Sequence, residues 1–349
     1  MEGVGMNWKG KRVLITGHTG FKGSWLSLWL REKGATVCGY ALDPPTMPNL
    51  FTDADVRVSV SITGDIRDEF AVANTFAQFE PEIVFHLAAQ PIVTVSYKNP
   101  SLTYSTNVMG TINVLEAIRL TKSVRAAVIV TTDKVYANEE WEWPYRESDT
   151  LKGHDPYSSS KACVELIVSS YRESYFNDRA ISVATARAGN VIGGGDWSEN
   201  RLVPDLISAF TEGKPAKIRN PRSVRPWQHV IDPLRGYIML AESLYEHGTL
   251  YAEAWNFGPM QQDALPVEDI AKQLADRWGD GASFEIANAS DFHETNLLML
   301  DWSKAKLRLG WKPNIRIDVA LLLTVNWYKA RLEGRDLRRF TIDQIKGFE

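Results

Sequence analysis

The chain has 349 residues, with 39 Lys and Arg against 43 Asp and Glu, a formal net charge of −4 and an apolar content of 44%. That length and composition provide for a large α/β unit or two smaller ones, while the mild acidity argues against a nucleic-acid binder. With two cysteines, no compact Cys/His set and no apolar run of membrane-spanning length, neither a disulfide framework nor a metal centre nor an anchor is expected; a reducing cytoplasm suits the chain. Residues 1–10 lack the apolar core of a signal peptide.

Residues 12–16 (RVLIT) read as a buried strand that runs straight into a turn with glycines at 17, 20 and 23. An apolar-periodic helix follows over 24–33, closed by Gly34. Further strands are expected at 35–40, 56–62, 81–87, 126–132 and 181–187, and long helices at 102–119 and 157–175. Near-continuous apolar strands alternating with helices indicate a parallel sheet covered on both faces, a Rossmann-type doubly wound α/β fold. Such sheets bind ligands at the carboxyl ends of their strands. Residues 190–230 are rich in Gly, Pro, Asn, Arg and Trp, and helices are expected again at 266–277 and 316–333. The division is a cofactor domain over 1–189 and a smaller, mainly substrate-binding domain over 190–349, with chain crossings between them.

The G-x-x-G-x-x-G spacing at Gly17, Gly20 and Gly23, between a strand and a helix, lets a backbone approach a pyrophosphate at a helix N-terminus. An acidic residue at the second strand's end would hold the ribose hydroxyls. Asp43 lies slightly beyond that point and reads equally as a turn residue before Pro44 and Pro45. With no arginine there for a 2′-phosphate, NAD is favoured over NADP. Asp65 and Ile66 are placed to take the adenine, Asp65 reading otherwise as a helix cap. His18 and Lys22 stand inside the turn, either as phosphate or substrate contacts or, respectively, as loop packing and solvated surface.

Tyr157 and Lys161, four apart, share one helix face, where a lysine can stabilise a tyrosinate acting as base. The fifth strand ends Thr132-Asp133-Lys134. Thr132 completes the Tyr–Lys set, and Asp133 with Lys134 adds an acid/base pair that an enzyme eliminating water needs and a simple oxidoreductase does not. On its own an Asp-Lys pair is more often solvated loop.

Together Gly17–Gly23, Thr132-Asp133-Lys134 and Tyr157/Lys161 resemble the nucleotide-sugar 4,6-dehydratases of the extended short-chain dehydrogenase/reductase type. The resemblance covers nearly the whole chain, including HLAAQP (86–91), Asn107 in TNVMGT, RAGNVIGGGDW (187–197) and LRLGWKP (307–313). It implies catalysis by Thr132, Asp133, Lys134, Tyr157 and Lys161, and adds Thr19, Phe21, Leu87, Ala88, Ala89, Gln90 and Asn107 to the cofactor contacts. On the substrate side it implies Thr132, Asn190, Arg201, Leu202, Arg219 and Arg225. Relatives acting on dTDP-glucose or GDP-mannose usually carry Asp-Glu where this chain has Asp133-Lys134, so the resemblance is to the branch that uses CDP-D-glucose. Lys134 must then be neutral to act as base, and Lys161 is the neighbouring cation looked for. An epimerase or a dehydratase for another nucleotide sugar remains the alternative within the family, and a non-catalytic dinucleotide sensor the alternative outside it. The resemblance also implies homodimers, through pairing of the 102–119 and 157–175 helices, with dimers of dimers beyond.

Overall fold

The computed structural model describes residues 6–177, 179–287 and 297–349; residues 1–5 of the N-terminal stretch lie outside them. Seven parallel strands form the central sheet: β1 (Arg12–Thr16), β2 (Thr36–Ala41), β3 (Val60–Thr63), β4 (Ile83–His86), β5 (Ala126–Val130), β6 (Ser182–Arg187) and β7 (Ala254–Asn256). Their order across the sheet is β7-β6-β5-β4-β1-β2-β3, and each adjacent pair is parallel. The order reverses between β1 and β4, the place where doubly wound sheets open a crevice.

Strands β4, β5 and β6 are buried along their whole length, which is why their sequences run apolar instead of alternating. Successive side chains still take opposite faces: Val13 and Ile15 join one core, Leu14 the other. The first core takes in helices α1 (Phe21–Glu32), α5 (Leu202–Thr211), α6 (Ile231–His247), α7 (Val267–Trp278) and α8 (Ile317–Leu332). The second takes in α2 (Glu69–Phe79), α3 (Gly110–Leu120) and α4 (Pro156–Tyr171). Strand β7, which completes the sheet, and helix α6 come from the chain's second half.

Several boundaries differ from the periodic pattern. Helix α1 starts at Phe21, three residues early, because the glycine turn itself supplies its first turn. The third strand shrinks to Val60–Thr63, while Val56 is instead buried in the core that contains α1. The fifth strand stops at Val130; Thr132 leaves it to cap a 3₁₀ turn over Asp133–Val135. The 102–119 helix is observed as Pro100–Tyr104, a wide π turn at Ser105–Met109, then α3. Such a widened turn re-aims side chains and is frequent at functional sites. Among the described residues no helix is long and apolar enough to cross a membrane, and no His/Cys/Asp/Glu group is arranged to hold a metal.

Candidate active site

The carboxyl ends of the strands open into a cleft of about 1300 Å³. One end is built by the glycine turn. A Cβ on Gly23 would lie 2.1 Å from the Gly17 carbonyl oxygen, and one on Gly17 would lie 2.8 Å from the Ala88 nitrogen. These glycines are therefore required for turn, helix and the loop after β4 to pack together. Gly20 caps α1 without any side-chain acceptor, leaving the helix's first N–H groups open to a ligand. That is the cradle a dinucleotide pyrophosphate requires, and the residues present fit one.

Around the cradle, Thr19, Phe21, Asp43, Asp65, Ile66, Leu87, Ala88, Ala89 and Gln90 all border the cleft. Some of their polar groups are committed to protein. The Thr19 hydroxyl donates to the Leu42 carbonyl at 2.9 Å, and the Asp65 carboxylate accepts from the backbone and guanidinium of Arg67. Asp43 is exposed on the rim. Asn107 does not line the cleft. It is buried in the π turn, where its Oδ1 accepts from Gln90 N at 2.8 Å and its Nδ2 donates to the Gln90 carbonyl and to Ser160 Oγ. It ties the loop after β4 to helix α4, holding contacts instead of making one.

At the other end Thr132, Asp133, Lys134, Tyr157 and Lys161 come together. Pro156 at the first turn and an Asp155 cap fix the start of α4, so Tyr157 and Lys161 face β5. Lys161 Nζ donates to the Val130 carbonyl at 3.1 Å. Thr132 stands between Tyr157 and Asp133. Its hydroxyl is in hydrogen-bond reach of the Tyr157 phenol and donates to Asp133 Oδ1 at 3.0 Å. Burial pushes the Tyr157 phenol up to about 12, against the Thr132 hydrogen bond and the positive charge of Arg201. Burial also lowers Lys161 to about 8, with the Glu165 carboxylate opposing. Asp133 is 2% exposed, and its Oδ2 lies against the backbone of Gly189, where a Cβ would stand 1.8 Å away.

Behind this set is a buried ion pair absent from the sequence argument. Glu165, one turn beyond Lys161, takes a two-pronged contact from Arg187 at 2.8 and 2.9 Å and accepts from Thr131 and Thr185. Arg187 also donates to the Tyr136 hydroxyl at 2.7 Å. Burial alone would raise the Glu165 carboxyl, but the Arg187 charge and these hydrogen bonds hold it below its usual range. The pair locks the end of β5 and strand β6 to the helix that carries Tyr157 and Lys161. The residue types were visible in the sequence; their partnership across three elements was not.

Lys22 is not solvated surface. It is turned into the cleft wall, where burial and the nearby charges of Arg201 and Lys161 lower it to about 8, with Asp133 opposing. Lys22 and Lys161 are near enough for each to feel the other's charge. Lys134 is half-buried and borders the cleft. His18 takes the packing role: its ring covers Gly39, contacts Phe51 edge-on and pairs with Ser61 Oγ at 2.9 Å.

Asn190, Arg201, Leu202, Arg219 and Arg225 border the rest of the cleft. Arg201 pairs with Asp196 at 3.0 Å and lies within charge reach of Tyr157. Trp227 is a packing residue whose indole donates to the Leu265 carbonyl. The two oxygens of Asp232 accept from the backbones of Asn314 and Ile315.

The chain's similarity to known proteins agrees with this arrangement. The GDP-mannose 4,6 dehydratase family profile matches residues 14–322. The chain is 50% identical over 336 residues to the CDP-glucose 4,6-dehydratase of Salmonella typhimurium, covering 95% of this chain and 94% of that protein. The dTDP-glucose 4,6-dehydratase of Streptomyces venezuelae, solved with NAD and TYD bound, superposes with a TM-score of 0.78 at 26% identity over 93% of this chain and 99% of that one. The UDP-glucose 4-epimerase of Thermotoga maritima superposes with a TM-score of 0.81 at 24% identity, covering 92% and 99%, and speaks for the fold alone.

Proposed function

The chain belongs to the GDP-mannose 4,6-dehydratase family, within the extended short-chain dehydrogenases/reductases, and from that premise we propose that it dehydrates CDP-D-glucose to CDP-4-dehydro-6-deoxy-D-glucose with NAD regenerated in each turnover. The observation that carries this reading is the row at the end of β5 in which the buried Asp133 carboxyl accepts from the Thr132 hydroxyl at 3.0 Å, with the Tyr157 phenol on the other side of Thr132. An epimerase has use for the tyrosine, lysine and threonine. A buried carboxyl in the same row serves an elimination. The 50% identity to a CDP-glucose enzyme supports cytidine diphosphate as the carrier.

When bound, oxidised nicotinamide supplies an acceptor for the C4 hydride, returns that hydride at C6 and carries a positive ring charge. Tyr157 takes the O4 proton as C4 is oxidised, with Thr132 orienting that hydroxyl and the Lys161 ammonium stabilising the phenolate. The new ketone acidifies the C5 proton. A neutral Lys134 takes that proton while a protonated Asp133 gives its own to O6, which leaves as water. The proton on Lys134 then returns to C5, and the O4 proton held by Tyr157 passes to Asp133, which restores both groups for the next turnover. Two electrons leave at C4 and return at C6, so one water is lost with no net redox change. Asn190, Arg201, Leu202, Arg219 and Arg225 are assigned to the diphosphate and nucleoside, arginine being suited to bidentate phosphate contact. Asp43, Asp65 and Ile66 are assigned to the adenosine half of NAD. In this reading residues 1–189 mainly bind cofactor and 190–349 mainly substrate.

Self-association belongs to the same reading. Tyr104, Met109, Leu166 and Tyr175 are large, exposed apolar groups on the helical segments of 100–120 and 156–176. Two copies pairing those helices across a two-fold axis would cover them.

Assay with CDP-, dTDP-, GDP- and UDP-glucose plus NAD tests the activity. The expected result is a 4-keto-6-deoxy product from CDP-glucose, with no net reduced cofactor, from a protein sized as a dimer or larger. Product only from another carrier would remove the assignment of cytidine, no product from any would remove the activity, and a monomer would remove the helix pairing.

A further inference from the structure

Consecutive residues at the tip of β5 meet successive turns of α4. Tyr157, Lys161 and Glu165 are spaced four apart and share one helix face. Lys161 Nζ donates to the Val130 carbonyl at 3.1 Å, and Thr132, beside Tyr157, donates to Asp133 at 3.0 Å. Thr131 lies between these two contacts. Its nitrogen keeps the sheet register, donating to the Ala186 carbonyl at 2.9 Å. Its side chain continues the row of Ala127 and Ile129, which faces the core that contains α4. An apolar residue would suit that row, yet here a buried hydroxyl donates to Glu165 Oε1 at 2.5 Å. Glu165 is itself held from β6, by both prongs of Arg187 at 2.8 and 2.9 Å and by the Thr185 hydroxyl at 2.6 Å. A hydrogen bond to an ionised carboxylate is shorter and stronger than one between neutral groups. The proposed proton transfers use neither Thr131 nor Glu165.

Resting on the dehydratase reading, we propose that Thr131 is a positioning residue for the oxidation at C4: its bond to Glu165 fixes the tip of β5 against α4, and so sets the Val130 carbonyl on Lys161 and Thr132 beside Tyr157. Glu165 and Arg187 are the anchor. Thr185 makes an equivalent bond to the other oxygen of the same carboxylate, but from within β6, where its chain neighbours Ala184 and Ala186 carry no reacting group. Loss of either hydroxyl leaves Glu165 its two-pronged hold on Arg187. Loss of the Thr131 hydroxyl alone releases the tip. Misplacement of reacting groups by about 1 Å can cost roughly 10²-fold in rate, so a smaller drift of the tip is visible in turnover.

The test compares Thr131→Val with Thr185→Val, on whichever nucleoside diphosphate glucose the wild type dehydrates. Each change takes one hydroxyl from Glu165 and nearly keeps the side chain's shape. Thr131→Val is expected to lower kcat roughly tenfold, with KM about the same. The deuterium isotope effect on kcat from substrate labelled at C4 becomes larger, because hydride transfer is the step slowed, and no reduced nicotinamide builds up. Thr131→Ser, which keeps the hydroxyl, restores most of the wild-type kcat. Thr185→Val keeps the wild-type kcat and isotope effect. The proposal is overturned by an unchanged kcat in Thr131→Val, by an equal fall in both valine variants, by a fall without the larger isotope effect, by failure of serine to restore turnover, or by a Thr131→Val protein that does not fold. No wild-type product from any nucleotide-linked glucose is a different result: it defeats the dehydratase reading, and this proposal with it.

Discussion

Tyr157→Phe is expected to lower turnover of CDP-glucose roughly 10³-fold, with neither keto-deoxy product nor reduced nicotinamide appearing within a turnover. The ring is buried on α4, and phenylalanine fills the same volume, so the fold is kept. What is lost is the group that the proposed mechanism uses to take the O4 proton. In the free protein burial holds that phenol up at about 12, so it is protonated at neutral pH. Its use as a base depends on positive charge gathered near it. Arg201 lowers the phenol directly, and Lys161 stands one helical turn away on the same face. Burial brings Lys161 down to about 8 against the Glu165 carboxylate, so the lysine is still largely charged at pH 7 and loses its proton as pH rises through that value. Rapid-quench product analysis with absorbance in parallel reads the result. Product formation within tenfold of wild type would show that another group removes the O4 proton.

Asp133→Asn has a comparably large effect on product, roughly 10²- to 10³-fold, and the opposite effect on the cofactor. Oxidation at C4 proceeds through Tyr157, Thr132 and Lys161, all retained. The amide keeps the shape that fits against Gly189 and accepts from Thr132, but it has no acidic proton to give O6. Reduced nicotinamide therefore accumulates to near one equivalent per site while water is not lost. If this variant instead resembles Tyr157→Phe, with neither species formed, Asp133 acts before or during oxidation and the division of labour drawn here is wrong. The two variants together separate the halves of the reaction, which is why each is informative only beside the other.

The parts of this site that depend on short spacing were legible in the sequence. The glycine turn needs three glycines at fixed offsets, and Tyr157 and Lys161 share a face because a helix repeats every 3.6 residues. The alternation of strands and helices made the sheet legible too, though not the end of β5, where Thr132 turns out of the strand to cap Asp133–Val135. What stayed hidden depends on residues far apart along the chain. Lys22 looks like a solvated lysine in a surface turn until Arg201, from the second half, closes over the same region. Glu165 and Arg187 are ordinary charged residues until two strands and a helix bring them into one buried pair. The hold that Asn107 takes on Gln90 and Ser160 depends on the π turn at Ser105–Met109, which the helical pattern does not show.

The most direct measurement follows the hydrogen at C4. CDP-glucose labelled with deuterium at C4 is turned over with NAD, and the product is examined for the position of the label. The account predicts deuterium at C6 of a 4-keto-6-deoxy sugar, one water lost for each label moved. Deuterium retained at C4 of an epimerised sugar, or carried away in released reduced cofactor, would contradict it.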